Sequence, residues 1–211
     1  PLLGQSVQLA CPAGWHGLNH TEVRSRCREC PAGFFQRTAG EATCGIVGAG
    51  SYTDETGSAT ELACPAGWHG HVNANARTSC RECPAGYFQS KIKSAECDVV
   101  GEGSYTNKNG SGTEIACPAG WHGLNSSQVR SGCRECPSGY FQSESEQSLC
   151  DIPNNRSYSL KDGSTTATAC PVGCHGQEDP FLRMDCRECP AGYFQSKSEQ
   201  SLCDIVDEGS Y

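Results

Sequence analysis

Apolar residues are scarce in this chain of 211. They total 36%, and that figure includes 17 cysteines. Setting the cysteines aside leaves about 28%, too little to offset the ordering entropy of one large core. No apolar run approaches the roughly 18 residues of a membrane-crossing helix, so no span is expected in this segment. There is no Lys/Arg cluster and the net charge is −8, which argues against a nucleic-acid partner. Residues 170–211 hold 3 basic and 8 acidic side chains, so −5 of the −8 lies there; this reads as solvated surface. No secretory leader is expected within these residues. The expectation is that a leader has been removed or that the chain is an internal piece.

Cysteine is what the chain has in excess, and it recurs with a period of 53. Cys11, Cys64, Cys117 and Cys170 keep that step, as do Cys27, Cys80, Cys133 and Cys186. So do Cys30, Cys83, Cys136 and Cys189, and Cys44, Cys97, Cys150 and Cys203. Tyr52, Tyr105, Tyr158 and Tyr211 follow it as well. A fixed period of this size means an array of small modules. The expected division is 1–47, starting mid-repeat, then 48–100, 101–153 and 154–206, with 207–211 opening a further repeat. No copy has the polar face of a capping repeat, so the chain is expected to continue in both directions. Pro-Ala-Gly and Gly-Ser segments predict turns. GYFQS and GSYT predict strands of two to four residues. The one helical turn expected lies around Thr21–Arg26 and its equivalents.

Each module has four cysteines in the pattern C-x15-C-x2-C-x13-C. Low hydrophobicity with cysteine near 8% points to covalent staples. Four cysteines allow three pairings. Each half-module has the same form, a C-P-A-G opening and a loop closed by a cysteine. That favours Cys11–Cys27 and Cys30–Cys44, repeated down the chain. The crossed pairing, first with third and second with fourth, stays open. Closing loops of about 15 residues contributes about 3 kcal/mol each in the chain-entropy treatment. Zinc is the rival reading, since CREC is a CxxC and a histidine follows each first cysteine. Four N-x-[ST] sequons, at Asn19, Asn109, Asn125 and Asn155, favour a secreted chain with N-linked glycans. O-linked sugar is expected in the Ser/Thr-rich stretches. No metal and no cofactor is expected.

The CxxCPAGYFQ…C unit resembles the ephrin-receptor-like cysteine-rich repeat. It is also similar to the first half of a tumour-necrosis-factor-receptor module and, more distantly, to EGF-like modules. Cys27, Cys30, Pro31, Gly33, Phe35 and Cys44 carry the resemblance, with their copies at Cys80–Cys97, Cys133–Cys150 and Cys186–Cys203. It implies an extracellular, disulfide-stapled fold of short β-hairpins and loops with little helix, extended as an elongated rod. The calcium-binding signature of some EGF-like modules is not apparent.

His16, His69, His122 and His175 recur in WHG or CHG. No recurring Ser or Asp completes a triad, and no G-x-S-x-G or H-E-x-x-H is present. The histidines are read as structural contacts, and no catalytic residue is expected. Arg28 and Glu29, with their copies, are read as a charge pair or an intermodule contact. The aromatic pairs Phe34–Phe35, Tyr87–Phe88, Tyr140–Phe141 and Tyr193–Phe194 are read as covers for disulfides and neighbouring modules. The fourth copy has Cys174 where Trp15, Trp68 and Trp121 stand. With sixteen cysteines paired, Cys174 is left for an intermolecular bond or a free thiol. Pro180, Phe181, Leu182 and Met184 are expected to refill part of the missing Trp's space. The expected function is a structural extracellular glycoprotein whose identical copies assemble head-to-tail or laterally into a filament or coat. The alternative is a receptor or adhesion ectodomain that binds a protein ligand.

Overall fold

The computed structural model of the chain describes residues 9–17, 26–71, 76–124, 130–207 and 209. These fall into two compact units. One comprises the residues up to Val99 together with Lys108–Thr113, the other Val100–Asn107 and the residues from Glu114 onward. Both are built from one recurring element, a tight turn followed by an antiparallel hairpin of two-residue strands. Among the described residues there is no α-helix. A single 3-10 turn, Pro180–Leu182, is capped by Asp179 and falls on the fourth-module equivalent of the helical turn expected at Thr21–Arg26. Residues 21–25 themselves lie outside the described residues.

Three hairpins recur with the period of 53, except that in the third module the second is reduced to a single bridge, Phe141 with Asp151. The first pairs Trp15–His16 with Arg28–Glu29. The second pairs Phe34–Phe35 with Gly45–Ile46, and the third pairs Ser51–Tyr52 with Leu62–Ala63. We call them the WHG, YF and SY hairpins. All three open in the same way. Trp15 N–H donates to Pro12 O at 3.1 Å, Phe34 N–H to Pro31 O at 3.0 Å and Ser51 N–H to Gly48 O at 3.1 Å. The residue before each strand is Gly14, Gly33 or Gly50, with φ of 83°, 85° and 80°. A type II turn needs that left-handed position, and glycine adopts it without strain. C-P-A-G and V-G-A-G are therefore the same turn, and the SY stretch is a third copy of the cysteine-bearing unit.

Burial confirms the equivalence. Cys30, Val47, Cys64 and Cys83 in one unit, and Val100, Cys117, Cys136 and Cys170 in the other, have no exposed surface. Each immediately precedes its turn. The core of each unit is thus a column of these residues, with Val or Pro153 standing in for cysteine in the SY copies.

Successive loop units are joined by backbone hydrogen bonds. Gly14 N–H donates to Gln36 O at 2.7 Å, Gln36 N–H to Ser58 O at 3.1 Å, and Gly33 N–H to Thr53 O at 2.9 Å. In the second unit Gly120 N–H donates to Gln142 O at 2.7 Å, Gln142 N–H to Ser164 O at 3.0 Å, and Gly139 N–H to Ser159 O at 2.7 Å. The glycine of WHG is set by this stacking. A Cβ on Gly70 would lie 2.7 Å from Gly50 Cα, so no larger residue fits where the two backbones pass.

Candidate functional site

The cysteines close the WHG and YF loops in sequence order. Cys11–Cys27, Cys64–Cys80, Cys117–Cys133 and Cys170–Cys186 close the first kind. Cys30–Cys44, Cys83–Cys97, Cys136–Cys150 and Cys189–Cys203 close the second. The crossed pairing is not formed. Both members of each CREC thus bond outside their own CxxC. Among the described residues no group of three or more His, Cys, Asp or Glu is placed to hold a metal ion.

The SY loops have no disulfide, and two residue types do its work. Glu61 stands fourteen residues after Val47, the separation of Cys30 from Cys44. Its Oε2 accepts from Gly48 N–H at 2.9 Å, which closes the loop where a sulfur bridge would. Glu114 does the same to Gly101 N–H at 2.8 Å. The fourth copy has Ala167 at this position and lacks the clip. Glu61 is 14% exposed and ion-paired to Lys93 Nζ at 2.7 Å. That bond, then the Gly48 hydrogen bond, holds its carboxyl below the ordinary value of 4.5.

The second residue is an arginine that the sequence reading did not single out. Arg183 Nη1 donates to Pro153 O at 2.6 Å, Nε to Gln177 O at 3.0 Å and Nη2 to Glu178 O at 2.9 Å. Arg77 reaches Val47 O and His71 O, and Arg130 reaches Val100 O and Leu124 O. Each guanidinium ties the SY turn to the long WHG loop that follows it. A planar fork with five N–H donors suits several carbonyls at once. The signal was available in the sequence, because Arg24, Arg77, Arg130 and Arg183 keep the 53-residue step.

The WHG histidines are anchored by one ring nitrogen. Nδ1 of His16, His69, His122 and His175 lies 2.9 Å from the carbonyl of the next glycine. A carbonyl only accepts, so Nδ1 carries the proton and Nε2 is left with its lone pair. In CREC, Glu29 Oε2 accepts from Thr56 Oγ1 at 2.9 Å. This is the intermodule contact rather than a pair with Arg28. Arg37 stands 5.7 Å from the Phe35 ring centre, a cation–π contact.

Cys174 is a free, half-buried thiol on the strand Cys174–His175, opposite Glu188. The expected refilling of the Trp space by Phe181 and Met184 does not occur. Phe181 is 75% exposed on the 3-10 turn. Met184 lies against the third module's YF turn, with its sulfur 3.7 Å from Ser138 Oγ. Two of the four sequon asparagines, Asn109 and Asn155, are exposed. Asn109 Oδ1 accepts from Ala85 N–H at 3.1 Å. Asn19 and Asn125 lie outside the described residues.

Residues 17–64 match the family model of the tyrosine-protein kinase ephrin type A/B receptor-like region. The human Signal peptide, CUB and EGF-like domain-containing protein 2 is 28% identical over 178 residues, covering 77% of this chain and 17% of that protein. Its human namesake, protein 3, is 30% identical over 174 residues, covering 77% and 16%. The Sushi, von Willebrand factor type A, EGF and pentraxin domain-containing protein 1 of Mus musculus is 27% identical over 169 residues, covering 76% and 4%. The chain thus spans less than a fifth of the length of these relatives. Eight disulfides require an oxidising compartment, and no helix among the described residues is long and apolar enough to cross a membrane. The chain is an extracellular, cysteine-rich tandem-repeat protein whose units resemble the ephrin-receptor-like repeat.

Proposed function

We propose that the chain is a structural part of an extracellular glycoprotein that assembles with identical copies into a filament or surface coat. One observation carries this reading. The contact between successive loop units is made by the same backbone groups in every module. Gly14 to Gln36 recurs as Gly67 to Gln89, Gly120 to Gln142 and Gly173 to Gln195. A contact built from groups common to all copies can be repeated by any further copy. Heterologous contacts that do not close a ring propagate without limit. Electron microscopy of native material tests this. Fibres are expected; monodisperse particles would overturn it and favour the receptor or adhesion reading.

Cys174 extends the proposal. It is the one cysteine without an intrachain partner, and a bond to a neighbouring copy would strengthen a filament. Denaturing electrophoresis without reductant should give a ladder that collapses on reduction, and a monomer band under both conditions removes the link. N-linked glycans are proposed on at least two of Asn19, Asn109, Asn125 and Asn155. The exposure of Asn109 and Asn155 supports this. Unmodified masses for all four asparagine-bearing peptides of native material would refute it.

A further inference from the structure

Each WHG hairpin sets a histidine across from an arginine. The pairs are His16↔Arg28, His69↔Arg81, His122↔Arg134 and His175↔Arg187. The four arginines are exposed, and none of them is in an ion pair among the described residues. In the fourth module this pair opens onto a groove of about 290 Å³, lined by His175, Gly176, Gln177, Glu178, Asp179, Arg187, Ser201 and Leu202. Among the described residues, the second-module copies of these are His69, Gly70, His71, Arg81, Ala95 and Glu96. Only there does a second imidazole join the pair. The copies of His71 are Leu18, Leu124 and Gln177.

The His69 ring and the backbone of His71 are held in place. His69 Nδ1 donates to Gly70 O at 2.9 Å and faces Ala95 O at 3.3 Å, which leaves Nε2 uncommitted. The backbone of His71 is fixed by Arg77 Nε, which donates to His71 O at 2.6 Å. Gly70 N–H is held by Ser94 O at 2.9 Å. We propose that His69, His71 and Arg81 form a binding site for an oxyanion, the sulfate or carboxylate group of an acidic saccharide. Arg81 supplies a permanent charge and two-pronged donors, and the two imidazoles add N–H donors as they gain protons.

The electrostatics agree with this geometry. Burial lowers the affinity of His71 for its proton, and the positive charges of Arg81, His69 and Arg77 lower it further. Those charged neighbours are all cationic. The carboxylates nearest in sequence are Glu61, which is ion-paired to Lys93, Glu82, and Glu96, the exposed copy of Leu202. Glu82 is the next residue after Arg81, so its side chain leaves the opposite face of the strand. His71 is therefore neutral at neutral pH and gains its proton only below the ordinary value of 6.5. An anion that prefers the charged form must bind more tightly as pH falls, and must raise the pKa of both histidines when bound. The same cationic surroundings disfavour a metal ion on His69 and His71.

The test uses the full oxidised chain and inorganic sulfate, at ionic strength held constant with chloride. Histidine ring protons are followed by NMR between about pH 5 and 8. Sulfate is expected to raise the pKa of His69 and His71 and to bind on the order of tenfold tighter at the acid end. His122, which has Leu124 beside it, should move less. His71→Leu introduces the residue that two other modules carry and keeps the fold. It should reduce the His69 response to that of His122, and Arg81→Ala should abolish it. Glu96→Gln should tighten binding. A sulfated disaccharide should act like sulfate and a hexuronic disaccharide should do so if carboxylate suffices, while a neutral one should not act. Equal sulfate responses at His69 and His122 would overturn the site, as would an unchanged response in Arg81→Ala. So would broadening of His69 and His71 by Zn²⁺ with no effect of sulfate.

Discussion

The WHG and YF loops are closed by sulfur, while the SY loops, of the same length and opening turn, are closed by hydrogen bonds. Val47 occupies the buried place of Cys30, and Glu61 the place of Cys44. A disulfide acts mainly by limiting the unfolded chain. A carboxylate clip and an arginine fork act only in the folded state; the clip responds to pH, while the guanidinium keeps its charge. Where the clip is present, two loops of a module are thus indifferent to acid and sensitive to reductant, and the third is the reverse.

The largest effect should come from opening a sulfur-closed loop. Cys30→Ser with Cys44→Ser is expected to cost about 2–5 kcal/mol of local stability, read as lost amide protection in Gly45–Ile46. Placing sulfur in the SY loop is the converse experiment. Val47→Cys with Glu61→Cys should form a new bridge, recovered as a 47–61 link in non-reduced peptide maps. Loops of this length gain about 3 kcal/mol from closure, and the lost clip takes back part of it. Two free thiols at 47 and 61 would show that the SY loop is not a true third copy.

Arg183→Gln should come next. It removes charged donors from three carbonyls, and hydrogen bonds to charged groups contribute about 1.5–3 kcal/mol. Amide exchange at Ser159, which donates to Arg183 O at 3.0 Å, should speed up while that of Cys189 does not. The Glu61 clip is weaker and depends on pH. Its carboxyl titrates below 4.5 in the folded chain, so its contribution is present above that pH and is lost as pH falls through the lower folded value. Gly48 amide exchange, corrected for the intrinsic pH effect, should rise in acid in the native chain. In Glu61→Ala it should be high and show no such step. The smallest effect concerns Glu146, which has φ of 64° where the first module has Gly40 at 86°. Glu146→Gly should stabilise by about 0.5–1 kcal/mol, seen as slower exchange of the residue 146 amide bonded to Cys117 O.

The sequence made the cysteine-bearing part of the fold legible. The 53-residue step gave the modules their phase, and the likeness of the two C-P-A-G loops favoured the sequential pairing found here. The GSYT and GYFQ runs fall on strands. What stayed hidden was the third copy, because cysteine is the conspicuous letter and the SY unit lacks it. Only V-G-A-G set beside C-P-A-G reveals the shared turn. The roles of Glu61 and Arg77 were hidden for another reason. A hydrogen bond to a backbone carbonyl or amide leaves no pattern of partner residues to find. The fate of Phe181 was misjudged since apolar composition alone does not say which way a side chain on a 3-10 turn faces.

The alternation of closures has a mechanical consequence. A chain pulled from its ends cannot lengthen through a loop that sulfur has locked, so the WHG and YF loops conceal their contour even when unfolded. An SY loop carries no such lock. Once the arginine fork and the carboxylate clip give way, its fourteen residues can extend to about 45 Å. Every module therefore stores one releasable length of slack between two lengths that remain fixed until reductant arrives.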